Sequence, residues 1–434
     1  IAFCSKRRLQ LRFELRREEV SVETIAGCRL CGSPLLTALW SFGETPLANA
    51  YLRVDQLQEP EFTAPLAVVR CDDCHLVQLR HTVPPELLFR NYLYMSSTSP
   101  VFVAHFEAYA RHLVERFELR PDTLVVDVGS NDGILLKPLG ARGVRVLGIE
   151  PAARIAALAA AEGIETIAEF LTPNLARALR QKHGGAAVVT ANNVFAHTPD
   201  IEGFALSVRE LLAPDGSFVF EVQYLGDLLE KNLFDIVYHE HLCYYHATPL
   251  IPFFARLDMD VFDVRRVRAH GGSIRVFVQR ADGPHRKEEG VVEILADEHA
   301  RGLDTSPPYR DFADRIAENK HTVQELLGNL KAAGKHIVGY GAAAKATTLL
   351  SVFGIGAETL DYVVDDDKKM KQGMYMPGTH VPIVPPDRLY ADRPEYCLIL
   401  AWNFAEPIMR NHARFTEQGG RFIVPAPEPR IVEP

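Results

Sequence analysis

No apolar run in the chain approaches the roughly 18 residues that a membrane-spanning helix needs, so no membrane segment is expected. A basic excess is also missing. The 47 Lys and Arg stand against 56 Asp and Glu, a formal charge of −9, whereas a nucleic-acid groove wants a basic face. There is no low-complexity tract, and the 47% hydrophobic and 24% charged shares are those of globular protein. Disordered, collagen-like and mini-scaffold classes are therefore out. The seven cysteines lack the pattern of a secreted disulfide framework, because four of them fall in two C-x-x-C pairs. Outside an oxidising compartment such pairs are metal ligands or redox motifs. The first twenty residues alternate basic and apolar side chains (Lys6, Arg7, Arg8, Arg12, Arg16, Arg17) without the continuous apolar core and cleavage site of a secretory leader. Residues 1–23 are expected to be a basic extension outside the fold, and the expected location is the cytoplasm.

What is present suggests about three domains, at roughly 150 residues each. Short β-branched runs alternate with helical stretches, the pattern of parallel α/β sheets. One series comprises LVVDVG (124–129), VRVLGIE (144–150), AAVVTANN (186–193) and GSFVFEV (216–222), with helical segments at 151–163 and 204–212. Two further strands are expected at 259–267 and 271–280. A charged connector from 281 to about 331 has the spacing of one or two helices. A second series starts at KHIVGYG (335–341) and continues through DYVVDDD (361–367) and YCLILAW (396–402). Each series opens with a strand, a glycine turn and a helix.

Cys28-Arg-Leu-Cys31 and Cys71-Asp-Asp-Cys74 each offer two thiolates to one ion, which matches a tetrahedral zinc. Four thiolates leave no open position, so the zinc is expected to be structural. In the turn Asp127-Val-Gly129-Ser-Asn131-Asp-Gly133, the carboxylates of Asp127 and Asp132 would repel a phosphate at the helix N-terminus. A ligand with a cationic amine and a sulfonium, such as S-adenosylmethionine, suits the loop better. Glu150 ends the next strand, where an acid would hold a ribose. Glu169 and Phe170 follow the third strand and Asn192 the fourth, so both segments could line one crevice. Tyr238-His239-Glu240-His241 is dense in proton-transfer groups, and His197 follows the fourth strand. Methyl transfer to carbon needs a base beside the C–H bond and a donor for the enolate oxygen, and histidine is the usual base near neutral pH. The two histidines of the run are i, i+2, so the H-E-x-x-H zinc motif is absent.

Together these residues resemble the C-methyltransferases that act on nucleotide-linked deoxysugars in antibiotic and polysaccharide pathways. The resemblance covers about residues 25–430 and rests on the cysteine knuckles, NYLYMSSTSP (91–100), VVDVGSNDGILL (125–136), NNVFAH (192–197), YHEHLCYY (238–245), HGGSIRVFV (270–278), GYGAAAKATTLL (339–350) and MPGTHVPIV (376–384). It implies an α/β fold: a zinc-binding domain (24–84), a class I methyltransferase domain (85–282) and a Rossmann-like substrate domain (283–434). It also implies that His241 is the general base and that Tyr94, Tyr238, Glu240 and His197 line the reaction centre. The substrate would be a nucleoside-diphosphate 4-keto sugar bound between the last two domains. Ser96, Ser97, His270 and Arg275 are its expected contacts, with Lys345. The turn Gly339-Tyr-Gly341-Ala-Ala-Ala344-Lys345 fits G-x-G-x-x-A, with Asp365 and Asp366 beyond it. Read alone, that turn would suit a nicotinamide oxidoreductase. Lys345 and the resemblance point instead to the substrate's pyrophosphate. An O- or N-methyltransferase on the same scaffold stays open as an alternative, as does the oligomeric state, a monomer included.

Overall fold

The computed structural model describes residues 21–89, 95–98, 100–368 and 370–433. Of the expected basic extension 1–23, residues 1–20 lie outside them, as does the candidate Tyr94, whereas Glu23 belongs to the fold and pairs with Thr82. The N-terminal module begins with β1 (Glu23–Thr24), β2 (Leu36–Pro46), β3 (Thr63–Cys71), β4 (Val77–Leu79) and β5 (His81–Thr82). Strands β1 and β5 pair with one another, while β2, β3 and β4 form an antiparallel meander. Leu66, Val68, Val77 and Leu79 form its buried face.

The second sheet contains β6 (Leu124–Val128), β7 (Arg145–Ile149), β8 (Thr166–Ile167), β9 (Ala186–Asn192) and β10 (Leu212–Gln223). It is completed by β12 (Met259–Val267) and β13 (Ser273–Arg280), in the order β12-β13-β10-β9-β6-β7-β8. All neighbours are parallel except the pairs made by β13. Every residue of β6 is buried, as expected where helices cover both faces of a parallel sheet. Helix Ile201–Leu211 shows how those covers form: Ile201, Phe204, Ala205, Val208 and Leu211 turn inward at helical spacing, and the Asp200 side chain accepts the Gly203 N–H at 2.9 Å. Strand order reverses between β7 and β9 on either side of β6, so the crevice for a ligand opens at the β6 carboxyl end.

β11 (Cys243–Tyr244) was not anticipated: by sequence it lies between strands of the second sheet, yet it pairs with β4 and makes the N-terminal sheet four-stranded. The expected connector forms helices Glu289–Ala300 and Pro307–Ala332. The third sheet holds β14 (Ile337–Tyr340), β15 (Val363–Val364), β16 (Ile383–Val384), β17 (Tyr396–Ile399), β18 (Arg421–Val424) and β19 (Arg430–Val432). Its order, β16-β15-β14-β17-β18-β19, places the reversal between β15 and β17 on either side of β14. The N-terminal module also touches this third sheet's domain. The Tyr51 hydroxyl donates to the Ala342 carbonyl at 2.6 Å, and the Thr347 hydroxyl donates to the Ala48 carbonyl at 2.9 Å. Among the described residues no helix is long and apolar enough to cross a membrane.

Candidate functional site

The four cysteine sulfurs lie within 4.8 Å of one another, with Cys28–Cys74 and Cys31–Cys71 each at 3.5 Å. Tetrahedral zinc with Zn–S of about 2.3 Å places its sulfurs roughly 3.8 Å apart. The four thiols are gathered at about the spacing that ion needs.

At the β6 end, Asp127 is buried and accepts from the Thr190 hydroxyl at 2.6 Å and the Asn192 amide at 3.4 Å. Burial pushes its carboxyl up to about 7. Gly129 follows with φ +68°, and a Cβ there would meet Val194 at 2.3 Å, so only glycine fits. Glu150 accepts the Asn131 N–H and the Ala152 N–H, each at 2.9 Å, and burial raises its pKa. It thereby ties the glycine turn, which continues through Gly133, to the start of the next helix. Ser96 donates its N–H to the Asn131 side chain at 3.0 Å, and the Ser97 hydroxyl bonds the Asp132 carboxylate. The two expected substrate serines thus sit against this loop. Asp132 Oδ1 and Asn192 Oδ1 are buried without a hydrogen-bond partner. Two unmatched acceptors beside a buried carboxylate suit the ammonium of a methionine-derived donor. Glu169 is exposed and Phe170 half-buried just past β8.

The histidine run divides. His239 turns away and bonds the Ala64 carbonyl at 3.0 Å, where burial lowers its pKa to about 4. His241 instead joins a column of rings. Its centroid is 4.2 Å from Tyr238 and 5.0 Å from His197, and His197 stacks on Phe89 at 5.4 Å. His241 Nδ1 lies 2.5 Å from the Ile236 carbonyl oxygen. A carbonyl can only accept, so Nδ1 carries a proton, which in the neutral ring leaves the lone pair on Nε2. Glu240 accepts from the Asn49 amide at 2.6 Å. Asn49 and Phe89 were missed by sequence reasoning. Nothing in their local sequence sets them apart, since both reach the site from outside the segments that carry the motifs.

Arg275 bonds Glu221 through Nε at 2.7 Å and lies over the Tyr109 ring at 3.5 Å, while His105 Nε2 is 2.8 Å from the same carboxylate. Burial alone would raise Glu221, but His105 and Arg275 outweigh it and hold its pKa below the usual range. His270 is in the turn Ala269–Gly271, and its side chain lies outside the described part. Gly341 adopts φ +94° against Ala401, where a Cβ would come within 2.8 Å. Asp365 accepts the Ala342 N–H at 2.8 Å, and Asp366 accepts from the Tyr340 hydroxyl at 2.8 Å. Lys345 starts helix Ala344–Phe353 and is mostly buried. Its ammonium bonds the Asn403 side chain, lies 3.7 Å from Asp235 and sits 5.0 Å from the Trp402 ring centre.

Three family models match in tandem. They are a zinc binding domain over residues 28–89, a methyltransferase domain over 102–262, and a C-methyltransferase C-terminal domain over 268–427. The C-methyltransferase NovU of Streptomyces niveus is 39% identical over 411 residues, 95% of this chain and 98% of its own length. Among solved structures, a SAM-dependent methyltransferase from Anabaena variabilis is 17% identical, with a TM-score of 0.32 over 41% of this chain and 94% of its own. The magnesium protoporphyrin IX methyltransferase of Synechocystis with bound SAM is 15% identical, with a TM-score of 0.32 over 41% of this chain and 79% of its own. Likeness at that level adds nothing to the topology described above.

Proposed function

The chain belongs to the S-adenosylmethionine-dependent C-methyltransferases, and from that premise we propose that it methylates the carbon next to the ketone of a nucleoside-diphosphate-linked 4-keto deoxysugar, with His241 as the general base. S-adenosylmethionine, when bound, supplies an electrophilic methyl group, and the zinc is structural. The observation that carries the reading is the contact of His241 Nδ1 with the Ile236 carbonyl. With Nδ1–H donated to the Ile236 carbonyl at 2.5 Å, Nε2 keeps the lone pair that a base needs.

In this reading Nε2 takes the proton from the carbon beside the ketone. The C–H pair moves into the ring bond, and the negative charge collects on the ketone oxygen. His197, stacked on His241 at 5.0 Å, is the donor assigned to that oxygen. Tyr94 is the alternative donor. Tyr238 packs against the base at 4.2 Å between ring centres, and Glu240 is held by Asn49. Asp127, Asn131, Gly133 and Glu150 are the residues that would hold the methyl donor. Alignment of this kind contributes roughly 7–11 kcal/mol in well-oriented systems. The acceptor's diphosphate is assigned to the side of the third sheet's glycine turn. The test is incubation with a panel of 4-keto sugar nucleotides and labelled donor, read by mass spectrometry, alongside deuterium wash-in at the acceptor carbon. Product carrying the label on oxygen, or no wash-in, would replace this reading with O-methylation.

A further inference from the structure

His241 Nδ1 bonds the carbonyl of Ile236, in the short turn Phe234–Ile236. The residues on both sides of that carbonyl are held by the third sheet's domain. Asp235 is fully buried, receives the Trp402 indole N–H at 2.6 Å and faces the Lys345 ammonium at 3.7 Å. The Thr348 hydroxyl donates to the Val237 carbonyl at 3.3 Å. One residue earlier in the turn, Phe234 stacks on Phe353 at 4.9 Å between ring centres. Lys345, Thr348 and Phe353 all belong to helix Ala344–Phe353, so one helix grips residues 234, 235 and 237 and leaves the carbonyl of 236 for His241. The turn adds a bond of its own, from the Val237 N–H to the Phe234 carbonyl at 3.1 Å.

We propose that this helix, with Trp402, is a clamp that fixes the Ile236 carbonyl on His241 Nδ1 and so sets which nitrogen of the base carries the lone pair. Asp235, Lys345, Thr348 and Trp402 are then positioning residues acting through a backbone carbonyl. The role of Lys345 is to neutralise a buried carboxylate, an arrangement in which removing either partner leaves the other charge uncompensated. Part of the chain's third domain thereby serves proton transfer in the second. The effect on turnover rests on the reading of His241 as the base; the effect on the tautomer does not.

The test uses the full chain with its zinc, labelled with 15N at histidine, and the His241 signals are identified by their loss in His241→Ala. The parent should show one neutral tautomer for His241, protonated at Nδ1. Thr348→Val keeps the side-chain shape and removes only the bond to Val237, and Asp235→Asn removes the charge that Lys345 meets. Each should give a mixture of tautomers. Each should also lower kcat and the wash-in rate by about 10- to 100-fold, the scale of small misplacements at a reaction centre, with donor affinity unchanged. Lys345→Met should behave alike, and Lys345→Arg should recover most of the loss. If Asp235→Asn does not fold, Thr348→Val decides. A single unchanged tautomer in folded Thr348→Val overturns the clamp. Mixed tautomers with wash-in at the parent rate uphold the clamp and remove His241 as the base.

Discussion

The two parallel sheets share a wiring pattern and differ in the charge set around it. After the first strand of each comes a glycine turn, and after the second strand an acid reaches back to that turn. Glu150 accepts the Asn131 and Ala152 N–H groups, each at 2.9 Å. Asp365 accepts the Ala342 N–H at 2.8 Å and the Asp367 N–H at 2.9 Å. Around the first turn stand Asp127 and Asp132, two more acids, with buried acceptor atoms left unmatched. Around the second stands Lys345, already facing Asp235, and the Ala342 carbonyl is occupied by the Tyr51 hydroxyl. An acid at the second strand's end is therefore a structural brace before it is a ribose ligand, and it says little about which ligand binds. The charge of the neighbours says more: the first turn suits a cation, and the second has Lys345 and Lys371 engaged with Asp235 and Asp365.

The N-terminal module touches both halves of the comparison, through Asn49 on Glu240 and Tyr51 on Ala342, so removing its zinc should produce the largest effect. Structural zinc sites in small domains are worth roughly 10–16 kcal/mol of apparent binding free energy, and that energy is folding energy. Chelation, or Cys71→Ser, should abolish turnover while calorimetry still detects donor binding. A metal-free enzyme that turns over normally would take the module out of the site. Next in size is His241→Ala, expected to cost about 10²–10⁴-fold in wash-in and product, the range for a lost acid–base group, with donor affinity retained. His239→Ala should leave wash-in nearly unchanged, since that ring faces Ala64.

The braces themselves separate the two sheets more finely. Glu150→Gln removes a charged acceptor worth about 1.5–3 kcal/mol and should weaken the donor by roughly tenfold or more, with the acceptor KM unmoved. Asp365→Asn should do the reverse. If both variants weakened the same ligand, the two turns would form one site and the comparison would fail. The smallest effect is in pH. Burial raises Asp127 to about 7, above its unfolded value, so the native protein holds a proton that the unfolded chain releases. This group's contribution to the stability of the donor-free protein is fully present below about pH 4 and is lost as pH rises through about 7. Donor affinity should rise over the same window, because a cation prefers the ionised form. Thermal melts and calorimetry between pH 5 and 8 check both slopes, and Asp127→Asn should flatten them.

Much of this was legible in the chain. Continuous apolar runs such as LVVDV exposed the buried parallel strands, and the paired C-x-x-C spacing exposed the metal cluster. The proton-transfer run was visible as a run, but its division was not. Whether His239 or His241 faces the column depends on Ala64 and Ile236, whose carbonyls have no signature. Asn49 and Glu240 meet across 191 positions, beyond the reach of any periodicity. The expected strand 361–367 is only Val363–Val364, although the Asp365 N–H still reaches the Val384 carbonyl of the next strand at 3.1 Å. β11 has only two residues, too few for a pattern of period two to be seen.

That short strand has a consequence for the order in which the protein can be built. During synthesis β4 leaves the ribosome well before β11, and at about 5–20 residues per second the interval is on the order of ten seconds. Through that interval the N-terminal sheet exposes an unpaired edge, a template for pairing with other chains. The module is thus a nascent-chain hazard until the segment carrying His241 arrives to close it. A graft of this module onto a related enzyme would inherit the same open edge unless Cys243 and Tyr244 travelled with it.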